Sequence, residues 1–154
     1  MGHRNMAGSQ YFLASPRSLI GMILLTLVCS LGAQDQPALV KPWVAPADAR
    51  AMKNPVPITP AGLTEAAKIF KDNCVICHGE KGMGDGESAK TLNRKPANFT
   101  DKAMMNQETD GALFWKMSQG RSPMPSWEDV FSETQRWELV NYLRQLTKNA
   151  NAGK

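Results

Sequence analysis

Two thiols and an imidazole stand together at Cys74-Val75-Ile76-Cys77-His78, a C-x-x-C-H run. Cysteines at this spacing can each add to one of the two vinyl groups of a porphyrin, and the next residue then supplies an imidazole to the iron. Two other chemistries use a C-x-x-C pair. A redox disulfide of the thioredoxin kind sits where a strand runs into a helix, and no strand-like alternation precedes Cys74. Zinc needs a fourth strong ligand. Cys29 and His3 are the chain's only other cysteine and histidine, and both lie near its start. A carboxylate could complete a zinc site, but no second C-x-x-C or H-x-H supports one. The motif therefore reads as a covalent attachment site for haem c, with Cys74 and Cys77 as thioethers and His78 as axial ligand.

An iron held by one imidazole has a second axial position. With His3 placed far upstream, a bis-histidine site is excluded, and methionine is the usual partner in electron-transfer haem c. The candidates beyond the first 33 residues are Met52, Met83, Met104, Met105, Met117 and Met124. Met83 is only five residues from His78, too near to reach the other haem face. Met52 lies in a proline-rich stretch, and Met117 falls on the apolar stripe of a helix. Met124 is enclosed as Pro123-Met124-Pro125, which holds its loop extended. Met124 is the sixth-ligand candidate, with Met104 and Met105 as alternatives.

Three helices have to position these groups. The first spans about 60–74, with Thr59 as cap and Pro60 at the first helical position. Its apolar residues Leu63, Ala66, Ala67 and Phe70 recur at helical spacing. A loop with Gly79, Gly82, Gly84 and Gly86 follows the motif. The middle helix runs from Gly111 to Gln119, buries Leu113, Phe114 and Met117, and stops at Gly120. The last begins at the capping box Ser132-Glu133-Thr134-Gln135. It continues to about Thr147, with Trp137, Val140, Leu143 and Leu146 on one stripe. Loops this long in so small a domain fit a core whose middle is filled by something other than protein.

The chain has 154 residues, enough for one domain with appendages. Residues 1–33 carry Arg4 and Arg17, no acid, and a ten-residue hydrophobic run from Leu19 to Val28. This is the layout of a secretory leader; retained, it would be a short N-terminal anchor. Ten helical residues reach only ~15 Å, against ~30 Å of hydrocarbon. Cys29 ends the run and is a conceivable lipidation point, although Val28 before it is large for such a site. Residues 34–60 hold six of the ten prolines and read as an extended linker. The domain is expected over 61–148 and a disordered tail over 149–154. Without the first 33 residues, 16 basic and 14 acidic residues remain. That near balance removes the concentrated positive charge a nucleic-acid partner would need.

From Leu63 to Leu146 the chain resembles a class I c-type cytochrome. The match rests on five features in order: Phe70 four residues before Cys74; the C-x-x-C-H with Gly79 and the Gly82–Gly86 loop; Asp110-Gly111-Ala112-Leu113-Phe114 leading to Gly120; Met124-Pro125-Ser126-Trp127; and Leu139-Val140-Asn141-Tyr142-Leu143-Arg144. The pattern is similar to single-haem modules found beside respiratory complexes.

The resemblance implies an all-α, small cytochrome c fold: three to four helices with long loops around one covalently bound haem. The first and last helices would cross near Phe70 and Tyr142. It implies that a proline carbonyl, here that of Pro96, accepts from the axial histidine, and that Trp127, Arg94 and Arg121 reach the haem propionates. The expected role is an exported single-electron carrier, periplasmic or on the outer face of the cytoplasmic membrane. Its partners would be redox proteins, such as those of a membrane respiratory complex. A haem enzyme would need an open iron position and an acid–base group above it, and no histidine is left for that role.

Overall fold

A computed structural model describes residues 42–152. The leader, Cys29, and the first part of the expected linker lie outside the described residues, as do Gly153 and Lys154. The elements in chain order are α1 (Ala47–Ala51), α2 (Pro60–Asn73), α3 (Val75–His78), a 3-10 turn (Glu87–Lys90), α4 (Lys102–Gln107), α5 (Asp110–Gln119) and α6 (Glu133–Ala150). Among the described residues there is no strand, only an isolated bridge between Arg121 and Met124. No described helix is long and apolar enough to cross a membrane.

Local chemistry sets the helix boundaries. Thr59 accepts from the Gly62 N–H at 3.0 Å, and Pro60, lacking a donor, takes a position where none is needed. Thr109 caps α5 and Asp101 caps α4 in the same way. At α6 the box is reciprocal: Ser132 Oγ accepts from Gln135 N at 3.2 Å, and Gln135 Oε1 accepts from Ser132 N at 3.0 Å.

α2 packs most extensively on α6. Ala66, Ile69 and Phe70 from α2 meet Leu139, Val140 and Leu143 from α6 in one core, joined by Leu113, Phe114 and Met117 of α5. The Phe70 and Tyr142 rings are 5.4 Å apart. Phe114 stacks on Trp137 at 4.0 Å, with the Arg136 guanidinium over its ring at 4.8 Å. Arg144 ties α6 to the α4–α5 junction, donating to Asp110 Oδ1 at 2.8 Å, Met105 O at 2.7 Å and Glu108 O at 2.6 Å. These bonds satisfy carbonyls that the end of a short helix leaves without partners.

Residues 43–60 depart from the expected linker. They pack on the domain, so the folded unit begins at Trp43 rather than 61. Ala49 of α1 is buried with Ala45 against Ala112. Asn54 Nδ2 donates to Trp137 O at 3.1 Å and Asn141 Oδ1 at 2.9 Å, while Asn141 Nδ2 donates to Val56 O at 3.1 Å. Apart from the turn of α1, the segment takes its partners from α5 and α6. At the other end α6 runs to Ala150, and Asn151 Nδ2 donates to Thr100 O at 3.1 Å. That anchor keeps 149–151 from being the disordered tail expected from composition.

Candidate haem site

The motif begins where α2 ends. Cys74 N bonds to Phe70 O at 2.9 Å as the last link of α2, and His78 N bonds to Cys74 O at 2.8 Å as the first turn of α3. With Cys74 at the break between α2 and α3, both cysteines and His78 line one cavity. The glycine loop then folds back on the motif: Gly84 N donates to His78 O at 2.8 Å and Gly86 N to Cys77 O at 3.1 Å.

The cavity measures about 390 Å³, within the ~300–1,000 Å³ typical of ligand sites. Its walls are mainly apolar, including Phe70, Leu92, Phe99, Leu113, Leu139 and Leu143. All eight residues singled out from the sequence line it: Cys74, Cys77, His78, Arg94, Pro96, Arg121, Met124 and Trp127. Of the other methionines, Met104 and Met117 also line it. Met105 is fully buried in the core, and Met52 and Met83 are exposed. Packing thus removes Met105 from the candidates that sequence had left open.

His78 Nδ1 lies 3.1 Å from Ala97 O. A carbonyl can only accept, so Nδ1 carries the proton and Nε2 keeps its lone pair for a metal. Burial lowers the imidazole below its ordinary value, partly offset by this bond, so the ring is neutral at neutral pH. Phe99 stacks on the ring at 4.6 Å. The acceptor corrects an expectation: the carbonyl belongs to Ala97, not Pro96. The Pro96 carbonyl instead faces Gly84, where an added Cβ would lie 2.5 Å from it. Gly84 has φ +75°, so a side chain there is strained as well as crowded. Gly84→Ala should cost roughly 2 kcal/mol or more, on the order of 10 °C in melting temperature. By pushing 96–97 off the imidazole it should also shift the midpoint potential. A melt together with a redox titration checks both.

Burial, with the neighbouring Cys77 adding to it, pushes the Cys74 thiol up to about 12. The unmodified side chain is therefore a neutral thiol, unlike the low-pKa thiolate of redox disulfide enzymes. No cluster of metal-binding His, Cys, Asp and Glu occurs among the described residues, so none of these supplies the fourth ligand zinc requires.

The polar lining is mostly cationic: Arg94, Lys95, Lys116 and Arg121, with Glu108 as the single carboxylate. Glu108 is ion-paired with Lys116. Burial, then the like charge of Arg94, pulls the Arg121 guanidinium below its usual value. Two arginines close enough to repel, beside an apolar cavity, suit a ligand carrying carboxylates. The donor set, the apolar walls and the cationic rim together fit a haem. Trp127 stacks on Phe131 at 5.0 Å and closes part of the wall.

Sequence reasoning missed four lining residues that matter. Ala97 acts through its backbone and carries no side-chain signal. Glu108 and Lys116 are ordinary surface types until the fold pairs them. Trp43 falls in the expected linker, and only the docking of that segment brings it to the cavity.

A helical fold, built around a C-x-x-C-H helix junction and a methionine loop facing one apolar cavity, defines a class I c-type cytochrome domain. The family model for cytochrome c oxidase, cbb3-type, subunit III matches residues 61–143, and the chain belongs to that family. It is 42% identical over 80 residues to the cbb3-type cytochrome c oxidase subunit FixP of Bradyrhizobium diazoefficiens, covering 51% of this chain and 26% of that protein. It is 30% identical over 95 residues to the chloroplastic cytochrome c6 of Chlamydomonas reinhardtii, covering 58% of each. A chain of the reducing HAO-like protein complex of Kuenenia stuttgartiensis superposes with a TM-score of 0.51 at 27% identity, over 62% of this chain and 49% of that one. The chain thus spans about a quarter of the FixP relative.

Proposed function

We propose that the chain is an exported carrier of single electrons with one covalently attached haem c. The supporting observation is the convergence on one cavity of two thiols, a neutral imidazole oriented by a backbone carbonyl, and the Met124 loop. Cys74 and Cys77 would hold the group through their sulfurs, and His78 through Nε2 and Met124 through its sulfur would bind its iron. When bound, the haem supplies an iron that takes up and releases one electron. Arg94 and Arg121 neutralise its carboxylates, and Trp127 completes the wall. The apolar walls keep water from the site, which favours the less charged, reduced state. The hydrophobic run over 19–28 supports export to the periplasm or the outer face of the cytoplasmic membrane, with redox proteins as donor and acceptor.

A second reading, a haem-bearing subunit of a larger oxidoreductase, is favoured by one observation: the FixP relative is named as an oxidase subunit. Partners that co-purify from solubilised membranes, identified by mass, separate a subunit from a free carrier.

The visible spectrum tests the carrier role. Reduced protein is expected to show low-spin c-type bands, and oxidised protein the weak far-red band of a thioether–iron bond. Rapid capture of carbon monoxide by the reduced protein at neutral pH would show an open iron position and overturn it.

A further inference from the structure

The segment that composition marks as a linker reaches the haem cavity. Trp43 lines it, and three side chains surround the indole. The Arg121 guanidinium carbon lies over its ring at 4.7 Å, Lys116 Nζ lies at 5.7 Å, and the Trp115 ring is 6.5 Å away. Arg121 is also the residue whose backbone pairs with Met124: Arg121 N donates to Met124 O at 3.0 Å, and Met124 N donates to Arg121 O at 2.9 Å. Trp43 therefore presses on the residue that closes the methionine loop.

Trp43 is itself held from behind. α1 docks on the start of α5 so closely that a Cβ on Gly111 would lie 2.0 Å from Ala49 O. The bonds from Asn54 Nδ2 to Asn141 Oδ1 and from Asn141 Nδ2 to Val56 O pin the segment's far end to α6. These anchors, together with the buried Ala45, tether the Trp43 end of the segment to the domain and so limit the freedom its contacts must remove.

We propose that Trp43 is a positioning residue of the haem site, holding the Arg121 side chain at the cavity and thereby keeping the Met124 loop closed. This inference rests on Met124 being the sixth ligand. Guanidinium–indole stacking, partly shielded from water, resists loop opening. The loop's opened fraction is a local equilibrium, separate from global unfolding.

The test uses the haem-loaded full chain as wild type, Trp43→Leu, Trp43→Phe, Gly111→Ala and Met124→Ala. Carbon monoxide can reach reduced iron only when the loop opens, so its capture rate reads that opening. The far-red band followed against temperature reads it in the oxidised protein. Gly111→Ala lifts α1 without altering the cavity lining, and alanine favours the helix it enters. Trp43→Leu and Gly111→Ala should each speed capture about fivefold and lose the far-red band well below global melting. Trp43→Phe, which keeps an aromatic face, should stay within about twofold of wild type.

Wild-type capture rates in both Trp43→Leu and Gly111→Ala, with the band intact in wild type, overturn the proposal alone. A wild-type protein without the band, or a Met124→Ala protein that keeps it, removes the ligand assignment and this inference with it. If Trp43→Leu does not fold, the Gly111→Ala rate decides by the same criterion.

Discussion

Replacing Met124 with alanine is expected to abolish the far-red band, open the reduced iron to carbon monoxide and lower the midpoint potential. A thioether is a soft donor that favours ferrous over ferric iron, so its loss stabilises the oxidised state. The shift should be on the order of 100–200 mV, a fraction of the ~0.8 V that axial ligation commands. Stability should fall by about 2 kcal/mol, the low end for truncating a methionine, because Met124 is only partly buried. An unchanged band would move the ligand to Met104 or Met117, the other two methionines lining the cavity. Potentiometric titration and absorption spectra of the purified variant check each part.

The double substitution Cys74→Ala with Cys77→Ala is expected to have the larger effect on folding. Without thioethers, the protein from a host that matures c-type cytochromes should show bare-polypeptide mass on denaturation, and any pigment should extract into acidified solvent. A site of about 390 Å³ left open to water loses the packing of its apolar walls, in a small domain whose whole stability is ~5–15 kcal/mol. The variant should therefore lose cooperative unfolding while keeping much of its helix content, as in compact states without fixed packing. Far-ultraviolet and near-ultraviolet circular dichroism distinguish the two losses. A cooperative melt at the wild-type temperature would show that the haem is not what the core is built around.

Trp43 and Ala97 mark where reading the chain stops. A lone tryptophan among prolines signals that it packs on something, but only the docking of Ala49 on α5 shows where. The hydrogen-bond acceptor for His78 was off by one residue because carbonyl direction depends on backbone dihedrals, which side-chain identity at 96 and 97 constrains only partly. The linker reading failed for a related reason. Proline limits how far helix or sheet bonding can run through a segment, but α1 fits between Pro46 and Pro55, and docking onto α6 stays open to Asn54 and Val56.

What the sequence determined by itself is the part governed by short-range chemistry. The spacing of Cys74, Cys77 and His78, the caps at Thr59 and Ser132, and the apolar stripes of α2, α5 and α6 all act over fewer than five residues, and each is legible without a fold. The tertiary structure decided what depends on distant segments meeting: which methionines share the cavity with His78, which carbonyl orients its ring, and that residues 43–58 belong to the domain. Those outcomes follow from how α2 and α6 cross and how the loops close over the space between them. That packing is a sum of many weak contacts among residues far apart in the chain, and no local pattern encodes it.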